Sequence, residues 1–87
     1  MDEKYHLALK TAFASEFSFY LKAHNFHWNV EGPLFAQLHN LFQTIYEEVY
    51  GAVDPFAEHL RALQIYTPAS QAKFSMLTKV EDENAVP

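Results

Sequence analysis

Cysteine is absent from this 87-residue chain, glycine occurs twice and proline four times. Without cysteine there is no disulfide, no zinc–thiolate centre and no thiol nucleophile, so stability has to come from packing or from a partner chain. No apolar run reaches the roughly 18 residues needed to cross a bilayer. The start, Met1-Asp2-Glu3-Lys4, lacks the basic-then-apolar pattern of a signal peptide. The expectation is a cytoplasmic chain with no membrane partner. Glycine-rich phosphate loops and nucleophile elbows are missing too, and Ser15, Ser18, Ser70 and Ser75 have no evident base–carboxylate set beside them.

Positive charge is scarce where it would matter for a polyanion. The net charge is −5, from 6 Lys and Arg against 11 Asp and Glu. Between Ala23 and Leu60 there is no Lys or Arg, whereas Glu31, Glu47, Glu48, Asp54 and Glu58 all fall there. His24, His27, His39 and His59 share the segment. Such a stretch repels phosphate and attracts cations, so nucleic acid is not an expected partner.

What the chain does have is apolar and aromatic weight, 49% and 16% of its residues. Strand alternation is nowhere evident. Leu9, Phe13, Phe17, Tyr20, His24 and His27 recur every three or four positions, which is a helical stripe. It predicts a helix over about 4–28, ended by Asn29 and Gly32-Pro33. A second stripe, Leu34, Leu38, Leu41, Ile45, Val49, Ala52, Phe56, Leu60 and Leu63, keeps its register throughout. It predicts a helix over about 34–64, kinked near Pro55, whose ring crowds the carbonyl of Gly51 and which has no N–H to offer it. After Thr67-Pro68 a short helix over about 68–78 is expected, with Thr67 as its cap. Glu81-Asp82-Glu83-Asn84 reads as a solvated end.

The fold class is therefore all-α, a single unit over 1–87: a hairpin of two long antiparallel helices plus a short third helix. Phe19, Phe26, Phe42, Tyr46 and Tyr50 fall off the main stripes, so both helices are apolar on more than one face. That pattern belongs to a four-helix bundle, completed by a second chain or by a missing C-terminal half.

The residues left to carry chemistry are His24, His27, His39, Asp54, Glu58 and His59. His27 closes the first helix and His39 lies in the second turn of the next, both near the hairpin tip. Asp54 and Glu58, at i and i+4, share one helix face. Fifteen residues of helix separate His39 from Asp54, about 22 Å, whereas metal ligands bind at roughly 2 Å. Either the carboxylates are unrelated to the histidines, or the site is built between two chains in which one hairpin's tip faces the other's mid-helix. Asp54 projects about 180° from Ile45 around the helix, away from the hairpin seam. Singly, each group has a plainer reading: His27 as a satisfied core histidine, Trp28 as an interior anchor, Asp54 and Glu58 as a solvated face, His6 and His59 as surface residues. His24 and His27, at i and i+3, are a weak chelating pair by themselves.

Together the residues say more. The run His27-Trp28-Asn29-Val30-Glu31-Gly32-Pro33-Leu34-Phe35, then Leu38-His39, then Asp54-Pro55-Phe56-Ala57-Glu58, resembles the Dps family of mini-ferritins, the "DNA-binding protein from starved cells" branch of the ferritin-like superfamily. The likeness extends through Arg61-Ala62-Leu63 and Pro68–Leu77. It implies a protein that binds Fe(II) between two-fold-related subunits, oxidises it to Fe(III) with hydrogen peroxide or dioxygen, and stores the product within a homo-oligomeric shell. By motif position, His27 and His39 of one subunit and Asp54 and Glu58 of its partner would be the ligands, with Trp28 beside the iron to quench radicals. A two-fold dimer is the least assembly this requires.

Three departures stand out. Gln43 occupies a position that is usually acidic in the family, which weakens a second iron position. Two of the family's four long helices are missing from this sequence. The lysine-rich tail through which some members bind DNA is missing as well. The missing tail speaks against DNA binding, whereas the missing helices and Gln43 favour an alternative, a non-catalytic helical oligomerisation module that keeps the motif without a competent iron site.

Overall fold

The computed structural model describes residues 3–84; the first two and last three positions of the expected 1–87 unit lie outside the described residues. Among the described residues all regular structure is helical, in four segments: α1 (Glu3–Asn29), α2 (Phe35–Gly51), α3 (Val53–Ala62) and α4 (Gln71–Leu77). α1 packs along α2 and touches α3 and α4, in a rod with principal extents of 51 × 22 × 17 Å.

The turn between α1 and α2 is set by one glycine. Gly32 has φ +105°, a left-handed conformation that a side chain would oppose. Its carbonyl accepts from the Phe35 N–H at 3.1 Å, which starts α2 at once. Among the described residues no helix is long and apolar enough to cross a membrane.

The second apolar stripe divides at Ala52 rather than bending at Pro55. Ala52 sits at φ −88° and ψ −9° between α2 and α3, its N–H bonded to Val49 O at 3.1 Å. The break places Pro55 third in α3, within the first turn, where an N–H would have no intrahelical partner anyway. α3 then ends in a Schellman motif: Ile65 N–H reaches Leu60 O and Gln64 N–H reaches Arg61 O, both at 3.0 Å. Gln64 carries φ 65° to make this possible, and Leu60 and Ile65 are buried together.

The cap of the last helix also differs from expectation. Ser70, not Thr67, accepts the Lys73 N–H, at 3.2 Å. Thr67 spends its hydroxyl on Ala57 O at 3.0 Å instead, tying the connecting segment to α3. The acidic end is exposed yet attached: Lys22 Nζ donates to Glu81 O at 3.1 Å, and Lys79 N–H donates to Ser15 Oγ at 2.9 Å.

The core lies at one end of the rod. Phe13, Leu60 and Ile65 form its centre, with Leu9, Phe56 and Phe74 packed around them. Phe13 meets Phe56 edge-on at 5.4 Å, and Phe74 stacks on Phe17 at 4.7 Å.

Candidate metal centre

At the other end, the hairpin tip brings His27 and His39 together. Their rings stack at 3.7 Å between centroids, 23° from parallel. His27 Nδ1 donates to the His39 backbone carbonyl at 2.8 Å, and His39 Nδ1 donates to the His27 carbonyl at the same distance. A carbonyl only accepts, so each Nδ1 carries a proton, and Nε2 is the nitrogen left to offer a lone pair in the neutral tautomer. That is the second contact a ligating histidine needs: the tautomer is fixed and the ring cannot swing. His27 is buried at 7% exposure and His39 is partly buried. Phe35 closes the outer face, its ring 5.0 Å from that of His39.

The helix ends make this reciprocity possible. His27 lies in the last turn of α1, and His39 one turn into α2. The short Gly32 turn aligns the two so that each ring lies beneath the other's peptide carbonyl.

His24 is more central than its spacing suggests. Its ring lies flat on Tyr46, 3.9 Å away and 8° from parallel, and 3.7 Å from the Trp28 ring. The Tyr20 hydroxyl meets His24 Nδ1 at 2.9 Å. Burial, with the neighbouring His27 adding to it, lowers the His24 pKa, while burial first and then Tyr50 and Tyr46 raise that of Tyr20. Both shifts favour the neutral form of the group. Tyr46 also reaches the His27 ring, edge-on at 5.0 Å, and Tyr50 lies 4.8 Å from Tyr20. Tyr46 and Tyr50 thus line the α1–α2 seam rather than falling outside it. A projection at 100° per residue treats each helix as isolated, and the long aromatic side chains reach sideways across the seam.

Asp54 and Glu58 lie on α3, one turn apart and both exposed to solvent. Among the described residues no three His, Asp or Glu side chains converge closely enough to hold a metal ion. One chain supplies two imidazoles at its tip and two carboxylates on a separate helix. Trp28 is 60% exposed beside the imidazoles. Gln43 donates from Nε2 to Glu47 Oε1 at 3.0 Å, so its amide is engaged along α2. His59 is exposed, whereas the Nε2 atom of His6 is buried without a hydrogen-bond partner.

Residues 7–86 match the ferritin family, described as a ferritin-like domain. The chain belongs to the ferritin-like family, on its Dps branch. It is 33% identical over 75 residues to the DNA protection during starvation protein of Helicobacter pylori, a stretch covering 86% of this chain and 52% of the relative. The crystal structure of antigen TpF1 from Treponema pallidum superposes with a TM-score of 0.86 at 33% identity, over 93% of this chain and 52% of that one. A Dps protein from Vibrio cholerae O1, described as a member of the ferritin-like diiron-carboxylate superfamily, gives a TM-score of 0.89 at 25% identity, over 95% and 52%. The chain therefore spans about half the length of these Dps-type relatives, with the helical hairpin as the shared part.

Proposed function

We propose that this chain is an iron-handling mini-ferritin unit, which binds Fe(II) and oxidises it with hydrogen peroxide or dioxygen for iron storage and oxidative protection. The site lies between two copies of the chain. His27 and His39 come from one copy, Asp54 and Glu58 from the other, and Trp28 stands beside the imidazoles. The observation that carries this reading is the reciprocal Nδ1–carbonyl lock at 2.8 Å, which leaves both Nε2 lone pairs free for a metal.

The donor set suits the substrate. Imidazole and carboxylate together accept Fe(II) and leave positions open for an oxidant. Anionic carboxylates favour the ferric product, which lowers the cost of removing an electron. In this reading the protein orients two neutral nitrogen donors, adds two negative charges from across the interface and shields one face with Phe35 and Trp28. Homo-oligomerisation is then a requirement for function, with a two-fold pair as the least assembly and a larger shell as its extension.

Complementation tests the reading. A His27→Ala/His39→Ala chain and an Asp54→Ala/Glu58→Ala chain should each lose Fe(II) binding in anaerobic titration and ferric absorbance after peroxide. Mixed and reassembled, they should recover part of both, because a mixed pair rebuilds one intact site. No recovery on mixing, with assembly intact, overturns the inter-chain site. A second reading, a helical oligomerisation module without a competent site, draws on Gln43 and its bond to Glu47. It requires that the unaltered chain bind no Fe(II) at all.

A further inference from the structure

α2 meets α1 with its aromatic side and leaves its aliphatic side bare. The ring contacts to α1 run through His39, Phe42, Tyr46 and Tyr50. Leu34, Leu38, Leu41 and Ile45 lie about a third of a turn away around the same helix. Leu34 and Leu41 are more than half exposed, and Leu38 and Ile45 are partly buried. The second apolar stripe of the sequence thus begins on a face that its own chain does not cover. Beside it lies a cavity of about 250 Å³, bounded by Phe19, Ala23 and Phe26 of α1 and by Phe42 and Ile45 of α2. An apolar cavity of roughly 150 Å³ admits a benzene ring, so an aliphatic side chain from outside fits here.

Area, shape and charge say what covers this face. The chain exposes 6154 Å², where a compact monomer of 10.1 kDa exposes about 5,300 Å². The surplus, about 900 Å², matches the roughly 800 Å² that each partner buries in a stable complex. The radius of gyration is 14.8 Å, against about 12 Å for a globular chain of this length. From Gly32 to Tyr46 there is no Asp, Glu, Lys or Arg, in a chain whose net charge is −5. Two copies of such a chain repel wherever their carboxylates meet, and along this stretch they can approach without that repulsion. Depletion of charge is also what marks the core of an interface.

We propose that the aliphatic face of α2, with the cavity beside it, is an interface with a second copy of this chain. The pairing is isologous, so each copy offers the same stripe and the same cavity to the other. Two hairpins laid side by side make four helices around a shared core. Leu41 and Ile45 take no part in the iron site, so this contact is independent of that reading.

The test is the mass of the metal-free chain in solution. Light scattering at micromolar concentration should give at least twice the single-chain mass. Leu41→Glu puts a charge where the single chain tolerates it, and should raise the dissociation constant about 100-fold or more, with the helical circular dichroism kept. Tyr66→Glu removes an apolar side chain that is more exposed still, beside the packed core, and should leave pairing unchanged. A single-chain mass for the unaltered protein overturns the proposal. Equal pairing in all three proteins overturns it too, and moves the contact to another face. Should Leu41→Glu lose its helices, Leu41→Cys decides instead, because the chain has no other cysteine. A nitroxide attached there should be immobilised in the paired protein and freed on dilution. A label equally mobile at both concentrations overturns this face as the interface.

Discussion

The two ends of the rod are built on different principles. Where α1 meets α3 and α4, Phe13, Leu60 and Ile65 are closed to solvent at 3%, 0% and 3% exposure. Where α1 meets α2, α2 buries none of its residues, and Leu41, Tyr50 and Trp28 are each more than half exposed. The first end is held by apolar burial. The second adds ring stacks and the reciprocal histidine bonds to the small buried side chains of Ala23 and Val30, and keeps an apolar cavity of about 250 Å³ between Phe19, Phe26, Phe42 and Ile45. The difference teaches where the fold is self-sufficient: the α3–α4 end closes on its own, and the end carrying His27 and His39 leaves large apolar and aromatic side chains open to solvent. This hairpin accounts for about half the length of the Dps-type relatives.

Breaking the closed end should cost most. Leu60→Ala removes the one large side chain that is fully buried among the described residues, at about 2–5 kcal/mol for a cavity that helix packing cannot collapse. For a chain this short that is a large share of the total stability. Urea unfolding should show the midpoint falling sharply while the slope is kept. At the open end, His39→Phe keeps a stacked ring and removes one reciprocal bond, leaving the His27 carbonyl without its imidazole donor. The expected loss is smaller, about 1–3 kcal/mol, with Fe(II) binding lost as well. If His39→Phe destabilised as much as Leu60→Ala, the division between a packed end and a hydrogen-bonded end would fail.

A substitution in the opposite direction sharpens the comparison. Gln64 holds φ 65° at the end of α3 so that Ile65 can return to Leu60. Gln64→Gly should stabilise the closed end by about 1 kcal/mol, because glycine adopts this conformation without the Cβ clash. A raised unfolding midpoint with unchanged Fe(II) binding is the expected result. A lowered one would mean that the entropy glycine gains on unfolding outweighs the relieved strain.

Much of this was legible from residue spacing, and the exceptions share a cause. The stripe from Leu9 to His27 and the one from Leu34 to Leu63 made the all-helical hairpin readable, because a period near 3.6 needs no knowledge of the partner. The break at Ala52 was not readable, since the apolar register runs straight through it and Pro55 marks the disturbance three residues late. Ser70 and Thr67 were equally good caps until Ala57 claimed the threonine hydroxyl. His27 and His39 stood out by type and spacing, yet their mutual lock depends on the exact register across the Gly32 turn, which spacing along one helix does not contain. Tyr20, His24 and Tyr46 were underrated for the same reason: stacking is a relation between helices. Asp54 and Glu58, at i and i+4, were legible as neighbours on one helix, and the structure places both on α3, exposed to solvent.

The smallest effect expected concerns a carboxylate. Glu16 has its Oε1 atom buried without a hydrogen-bond partner, and burial raises its pKa above the ordinary glutamate value. A group with a raised folded pKa stabilises the fold fully below the unfolded pKa, and that contribution is lost as pH rises through the folded one. In the native state Glu16 therefore keeps its proton to higher pH than in the unfolded chain, and the unaltered protein should lose stability across that window. Glu16→Gln carries no titrating group and should remove this component of the slope. Denaturation midpoints of the two proteins, compared from pH 4 upward, should separate through the window in favour of the variant and then run parallel. Curves that stay parallel throughout would show Glu16 to be solvated, and would place the boundary of the packed end before α1 reaches it.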